Sequence, residues 1–283
     1  MPHIVLQGRW LTPALAQEVA RLAAANRLRA VSDTVWRCDG LHALPGAAAR
    51  ARIVALADAA RIDANFIDTS RSLSSFRLAV MDMDSTLITI ECIDEIADMM
   101  GIKPQVAEIT RAAMRGEIAY PESLRRRVAL LKGLDATALG RVYDERLRLS
   151  PGAEAMLARF KAAGLRTLLV SGGFTFFTEK IKARLGLDFS HSNVLALEAG
   201  KLTGAVTGTI VDADEKARLL QQTCRQLGCA PADSIAIGDG ANDLKMMALA
   251  GLSVAYRAKP VVRAQAMTAI SHNGLDAVLN FFD

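Results

Sequence analysis

Arg77-Leu-Ala-Val-Met-Asp82-Met-Asp84-Ser85-Thr86-Leu87 is an apolar run of strand-forming character that ends in two carboxylates one residue apart. In extended backbone alternate side chains share a face, so Asp82 and Asp84 point into one space at the strand's carboxyl end. Open parallel sheets place their ligands there. Two anions held together repel, and a bound divalent cation relieves that repulsion. The alternative, a polar turn after a buried strand, accounts easily for one acid and less easily for two.

Working outward, 283 residues can hold one large domain and one or two small ones. Half the residues are hydrophobic and 23% are charged, which fits a soluble globular protein with a sizeable core. No apolar run approaches the roughly 20 residues of a membrane span. Met1-Pro-His-Ile-Val lacks the basic-then-apolar layout of a signal peptide, so a cytoplasmic location is expected. Cys38, Cys92, Cys224 and Cys229 form no CxxC pair and read as reduced, packed thiols. The four His are scattered, which argues against structural zinc. Net charge is +4, of which residues 1–75, with nine Arg, no Lys and six acids, carry +3. The balanced remainder and 5% aromatics argue against a nucleic-acid groove.

Residues 1–75 read as a small unit. His3-Ile-Val-Leu-Gln-Gly suggests a strand, and Thr12-Pro13 opens an Ala/Leu-rich helix with Thr12 as N-cap. Arg29 to Arg37 suggests a hairpin or one long strand, Pro45 to Ala60 a second helix, and Asn65-Phe-Ile-Asp68 a last strand. This order suits a ferredoxin-like sandwich and resembles a small regulatory domain of the ACT type. An irregular extension packed on the main domain is the alternative. Thr69-Ser-Arg-Ser-Leu-Ser-Ser75 reads as a Ser-rich linker.

Residues 88–150 read as helix throughout, with Ile93, Ile96, Ala97 and Met100 on one apolar stripe and Leu124, Val128 and Leu131 on another. A helical insert directly after a strand suggests a cap. Thr167-Leu-Leu-Val170, Ser234-Ile-Ala-Ile237, Leu252-Ser-Val-Ala255 and Thr268-Ala-Ile270 then alternate with helical segments, indicating a parallel sheet covered on both faces. Asn193 to Val211, rich in Val, Thr and Gly, suggests a β-hairpin excursion.

Three further signals sit at expected strand ends. Ser171-Gly172-Gly173-Phe174 offers a hydroxyl and backbone N–H groups at a helix start, where phosphate oxygens can be held, although Ser-Gly-Gly is also an ordinary turn. Lys216 lies where a helix begins, an unfavourable place for a cation. Residues alone favour a solvated Lys216 over one compensated by an anion. In Ile237-Gly238-Asp239-Gly240-Ala241-Asn242-Asp243, a helix starting after Asp239 would let Asp243 face the same point, an oxygen set suited to Mg²⁺. A glycine turn with an N-capping Asp is the plainer reading.

Asp82-Met-Asp84-Ser-Thr, Ser171-Gly-Gly, Lys216 and Gly238-Asp239-Gly-Ala-Asn242-Asp243 resemble, in order, the four motifs of the haloacid-dehalogenase-like phosphatases. The longer run from Asp82 through Glu91 to Glu95 is closer still to the members that act on O-phosphoserine. So are Ala112-Ala-Met114-Arg-Gly116 and Ser123-Leu-Arg-Arg-Arg127-Val. The resemblance covers roughly residues 76–283; Met81 and Met83 stand where many relatives carry Phe.

It implies an α/β fold: a doubly wound, Rossmann-like parallel-sheet core (76–87 and 151–283) with a helical cap (88–150) inserted after the first strand. The small N-terminal α/β domain (1–75) would serve regulation or assembly. It further implies hydrolysis of O-phosphoserine, the last step of serine biosynthesis. Asp82 would be the nucleophile and Asp84 the general acid, then base. Mg²⁺ would sit between Asp82, the Asp84 backbone carbonyl and Asp239, with Asp243 nearby. Ser171, Gly172 and Lys216 would hold phosphoryl oxygens, and Asn242 would position Lys216 or the phosphate.

Substrate choice would fall to the cap. Arg127 lies at the edge of the Leu124/Val128/Leu131 stripe, while Arg125 and Arg126 point away. It could therefore meet a substrate carboxylate. Glu91 could receive the substrate ammonium, or could simply be an acid favoured in a first helical turn. Met114 and Tyr120 match positions that cover the substrate in the family, and would otherwise pass for packing. The expected partner is a small molecule, with no nucleic acid or membrane, and the chain is expected to be a monomer or homodimer. Transfer of the phosphoryl group to another alcohol such as homoserine is the second enzymatic reading. A non-catalytic amino-acid sensor is a third, disfavoured by intact Asp82 and Asp84.

Overall fold

The computed structural model describes residues 1–68 and 71–282. Two sheets organise the chain. The first is antiparallel, with order β2-β3-β1-β4. It is built from β1 (His3–Gln7), α1 (Pro13–Leu22), β2 (Arg27–Ser32), β3 (Val35–Asp39), α2 (Ala47–Ala59) and β4 (Asp63–Ile67). Thr12 Oγ1 caps α1 by accepting the Leu15 N–H at 3.2 Å, with Pro13 at its first position. The region 29–37 is a hairpin, and an irregular extension is excluded. β4 starts two residues before the expected strand, which brings Asp63 into play at the contact with the second sheet.

The second sheet has order β11-β10-β9-β5-β6-β7-β8. Its chain runs through β5 (Leu78–Met81), α3 (Cys92–Met99), α4 (Lys103–Met114), α5 (Tyr120–Ala129), α6 (Thr137–Arg141), α7 (Ala153–Ala162), β6 (Arg166–Phe174) and α8 (Thr175–Leu185). It continues through β7 (Phe189–Glu198), β8 (Lys201–Thr207), α9 (Ala213–Leu227), β9 (Ser234–Gly238), α10 (Leu244–Met247), β10 (Leu252–Tyr256), α11 (Pro260–Arg263) and β11 (Thr268–Ile270). All pairs are parallel except β7–β8. β5 is buried along its whole length, as its uninterrupted apolar sequence requires when both sheet faces are covered. The chain moves from β5 to β6 on one side and later returns to β9 on the other. Asp82, Ser171 and Asp239 therefore meet at a topological switch point.

Residues 88–150 are not one helical run. An antiparallel bridge between Ile88 and Leu149 forms a neck, and the helices above it are separate. Gly101 and Gly116, at φ +71° and +78°, mark two of the breaks, because such backbone cannot continue a right-handed helix. The far end of this cap is stitched to the core hairpin: Gly133 N–H donates to the Leu202 carbonyl, Leu202 N–H to Leu134 and Ala136 N–H to Gly200, at 2.8, 2.8 and 2.9 Å.

The two sheets meet through polar side chains. The buried Asp63 carboxylate accepts the N–H groups of Ser271, His272 and Asn273 at 2.7, 3.2 and 3.2 Å, and the Asn273 side-chain amide at 2.6 Å. Asn65 Oδ1 accepts the Ala269 N–H at 2.7 Å. Of the expected linker, Thr69 and Ser70 lie outside the described residues. Its remainder is docked rather than loose: Arg71 binds Asp233 at 2.9 Å and stacks 4.2 Å from the Phe76 ring centroid, while Leu73 is buried.

Candidate active site

A cleft of about 640 Å³ opens between the cap and the carboxyl ends of β5, β6 and β9. After β5 the backbone turns sharply over Met83–Leu87, with Ser85 in the left-handed region at φ +56°. A non-glycine residue there costs about 1 kcal/mol. Ser85 is held by its N–H to the Ile90 carbonyl at 3.2 Å and by its hydroxyl to Glu91 Oε1 at 2.7 Å. Glu91 thus sits just before α3 with its carboxylate in the cleft rather than as a first-turn acid.

Asp82 Oδ1 accepts the Met83 N–H at 2.7 Å and lies 2.8 Å from Lys216 Nζ. Lys216 is fully buried and also reaches Asp243 Oδ1 at 2.8 Å. The solvated reading of Lys216 is therefore overturned. Two carboxylates compensate it, and they, not Asn242, position it. Burial alone would lower the Lys216 pKa, but Asp243 and Asp82 outweigh burial and raise it, so it stays charged. Asn242 lines the cleft, with its side chain folded back over Gly240.

Asp82, Asp239 and Asp243 can each bring one oxygen within 4.8 Å of the others. Burial raises the Asp82 pKa, Lys216 opposes the rise, and Asp243 and Asp239 add to it. Burial, then Asp243, push Asp239 up to about 6. Three largely buried acids around a single ammonium leave surplus negative charge. Among the described residues the Asp239 carboxylate receives one hydrogen bond, from Thr86 Oγ1 at 3.2 Å. Hard oxygens with an uncompensated charge fit Mg²⁺.

The Asp84 carboxylate stands outside this cluster, with Oδ1 accepting the Cys92 N–H at 3.2 Å. Burial, then the charge of Glu91, push it up to about 7. Its other oxygen lies against Gly173, where an added Cβ would fall 2.7 Å away, so the glycine is needed for this approach. Ser171 is buried and its Oγ accepts the Gly173 N–H at 2.8 Å. The Gly172 carbonyl accepts the Tyr120 hydroxyl from the cap at 3.1 Å and the Asn193 amide at 2.8 Å.

Arg127 lines the cleft half-buried, with Nε 3.4 Å from the Ser123 carbonyl. It has no carboxylate partner among the described residues. Arg125 and Arg126 are exposed, and Arg126 pairs with Glu122 at 2.7 Å. Met114 is 65% exposed at the cleft mouth, so it is not core packing. The expected residues thus meet in one cleft, apart from Lys216 and Asp243, which lie beneath it. Sequence reasoning missed Thr86, Cys92 and Asn193. Thr86 stood inside the quoted stretch, Cys92 acts through backbone, and Asn193 was one polar residue in a strand.

The haloacid dehalogenase-like hydrolase family matches this chain over residues 79–248. A phosphoserine phosphatase of Polaromonas sp. (strain JS666 / ATCC BAA-500) is 58% identical over 212 residues, 73% of this chain and 90% of that protein. The unliganded crystal structure of a probable phosphoserine phosphatase from Vibrio cholerae superposes with a TM-score of 0.83 at 38% identity, covering 99% of this chain and 85% of that one. A phospho-aspartyl intermediate analogue of a phosphoserine phosphatase gives 0.69 at 38% identity, covering 74% and 99%. The chain belongs to the haloacid dehalogenase-like hydrolases, within their phosphoserine phosphatase family.

Proposed function

We propose that the chain is a Mg²⁺-dependent phosphoserine phosphatase that converts O-phosphoserine and water to serine and phosphate. One juxtaposition carries the reading. The cleft with Asp82, Asp84 and the Ser171-Gly172 loop on its floor has on its walls a cation, Arg127, with no carboxylate partner among the described residues, and an acid, Glu91. A phosphate ester bearing both a carboxylate and an ammonium complements that set.

In this mechanism Asp82 Oδ1 is fixed by Met83 N–H and Lys216, leaving Oδ2 to attack phosphorus. The bond to the serine oxygen breaks as Asp84 gives that oxygen its proton; the raised pKa keeps the proton available near neutrality. Asp84 then takes a proton from the water that attacks the aspartyl-phosphate, and phosphate leaves with Asp82 restored. Ser171, the Gly172 loop and Asn242 hold the phosphoryl oxygens, and Lys216, held just beneath them by Asp82 and Asp243, offsets their charge. Asp82, Asp239, Asp243 and the Asp84 carbonyl would hold Mg²⁺, whose charge neutralises phosphate when it is bound.

The division of labour we infer gives chemistry to residues 76–87 and 151–283, substrate selection to 88–150, and assembly or regulation to 1–75. Among the described residues no helix is long and apolar enough to cross a membrane. We place the chain in the cytoplasm as a monomer or homodimer. The test is phosphate release across a panel of small phosphorylated metabolites, with EDTA and then Mg²⁺ added. Phosphoserine should lead the panel, and chelation should stop turnover until Mg²⁺ restores it. Preference for a phosphate ester without the amino-acid groups, or indifference to chelation, would refute the proposal.

A further inference from the structure

Asn193 is 1% exposed and lies in β7, outside the cluster of acids. Parallel pairing of β6 with β7 runs to Val170–His191 and resumes at Phe174–Asn193, so a four-residue step on β6 faces a two-residue step on β7. The interruption holds Ser171, Gly172 and Gly173. A bulge takes backbone groups out of the ladder, and a displaced buried carbonyl needs another donor.

The Asn193 side chain supplies it. Nδ2 donates to the Gly172 carbonyl at 2.8 Å, and Oδ1 accepts the Val211 N–H at 2.9 Å. The reverse amide orientation would set donor against donor and acceptor against acceptor, so the assignment is unambiguous. Val211 precedes Asp212, whose Oδ1 caps α9 through the Glu215 N–H at 2.9 Å, and Lys216 is the fourth residue of that helix. One buried amide therefore ties the Ser171-Gly172 loop to the helix that delivers Lys216. Tyr120 places a second hydrogen bond on the same Gly172 carbonyl from the cap, which two lone pairs accommodate.

The geometry points to Asn193 as a positioning residue for phosphoryl transfer, setting the spacing between the loop and Lys216. This inference rests on the phosphatase reading above. Transition-state oxygens need both groups in place at once, and a misplacement of about 1 Å can cost about 100-fold in rate. The bound ester can relax into a slightly misplaced site, whereas the transition state cannot. Loss of Asn193 should accordingly fall on kcat more than on KM.

The test compares Asn193→Ala, Asn193→Asp and Asn193→Gln with wild type in the full chain, well below each melting temperature. The Asp variant keeps the acceptor for Val211 N–H but loses the donor to Gly172. The Gln variant keeps both groups, displaced by one methylene, and is the least disruptive to folding. Each should lower kcat on phosphoserine about 10- to 100-fold with KM changed less than about threefold. Inhibition by orthovanadate should weaken by a similar factor, which mere loss of stability would not produce. A wild-type chain inactive on phosphoserine sinks the phosphatase reading itself. An active wild type with folded variants whose kcat and vanadate inhibition are unchanged overturns the role of Asn193 alone.

Discussion

Replacing Arg127 with alanine should separate recognition from chemistry. The guanidinium stands half-buried on α5 and, among the described residues, has only the Ser123 carbonyl, 3.4 Å from Nε, as a protein acceptor. A planar fork facing a substrate carboxylate makes two charge-assisted hydrogen bonds of about 1.5–3 kcal/mol each. Water entering the open cleft recovers part of that in the variant, leaving a net loss of about 3–4 kcal/mol, or about 100- to 1,000-fold in kcat/KM. The carboxylate is remote from the breaking bond, so the loss should appear in KM with kcat nearly held. Phosphoethanolamine, which lacks the carboxylate, should lose less than about threefold. Arg127→Lys keeps the charge but not the fork and should fall between. Steady-state phosphate release on both substrates decides the matter: equal losses on the two would show that Arg127 supports the cap and does not read the substrate.

Asp82→Asn should reduce turnover by more than about 1,000-fold while leaving the circular dichroism spectrum unchanged, and substantial residual hydrolysis would remove the covalent step. The carboxyl of Asp84 is raised to about 7, so its proton is present below that value and lost above it. Single-turnover serine release should therefore level off below about pH 7 and decline about tenfold per unit above it, whereas hydrolysis of the intermediate should decline below it. A flat serine-release profile between about pH 6 and about pH 9 would rule out Asp84 as the acid. Asp63→Ala leaves three backbone N–H groups and the Asn273 amide without their carboxylate, a cost of about 3–4 kcal/mol. The apparent Tm should fall by about 5–7 °C with kcat on phosphoserine preserved, and an unchanged Tm would mean that the contact between the sheets is idle.

Much of the architecture was legible because period and punctuation agreed. Leu78–Met81 had the unbroken apolar character of a strand buried on both faces, whereas strand alternation does not explain Asp84: the strand ends at Met81, and the turn over Met83–Leu87 brings Asp84 into the cleft but outside the acid cluster. Lys216 was misread on local grounds because its partners, Asp82 and Asp243, arrive from other strand ends and no local rule joins them. Asn193 was invisible for the same reason. Its worth comes from a bulge in β6 that removes a backbone partner, and one polar residue in a β run carries no such information. The breaks at Gly101 and Gly116 were readable but overridden by the apolar stripes around them. The docking role of Asp63 could not be read because it depends on the turn after β11, more than 200 residues away.

The three backbone hydrogen bonds joining 133–136 to the β7–β8 hairpin bear on how such enzymes are recombined. Residues 88–150 form a contiguous insert and invite transplantation as a cassette to change specificity. Cut at those boundaries, the graft would leave its distal rim facing a foreign hairpin, with amides and carbonyls on both sides in search of partners. The exchangeable module is the insert together with residues 189–207, a unit discontinuous in sequence and continuous only in space.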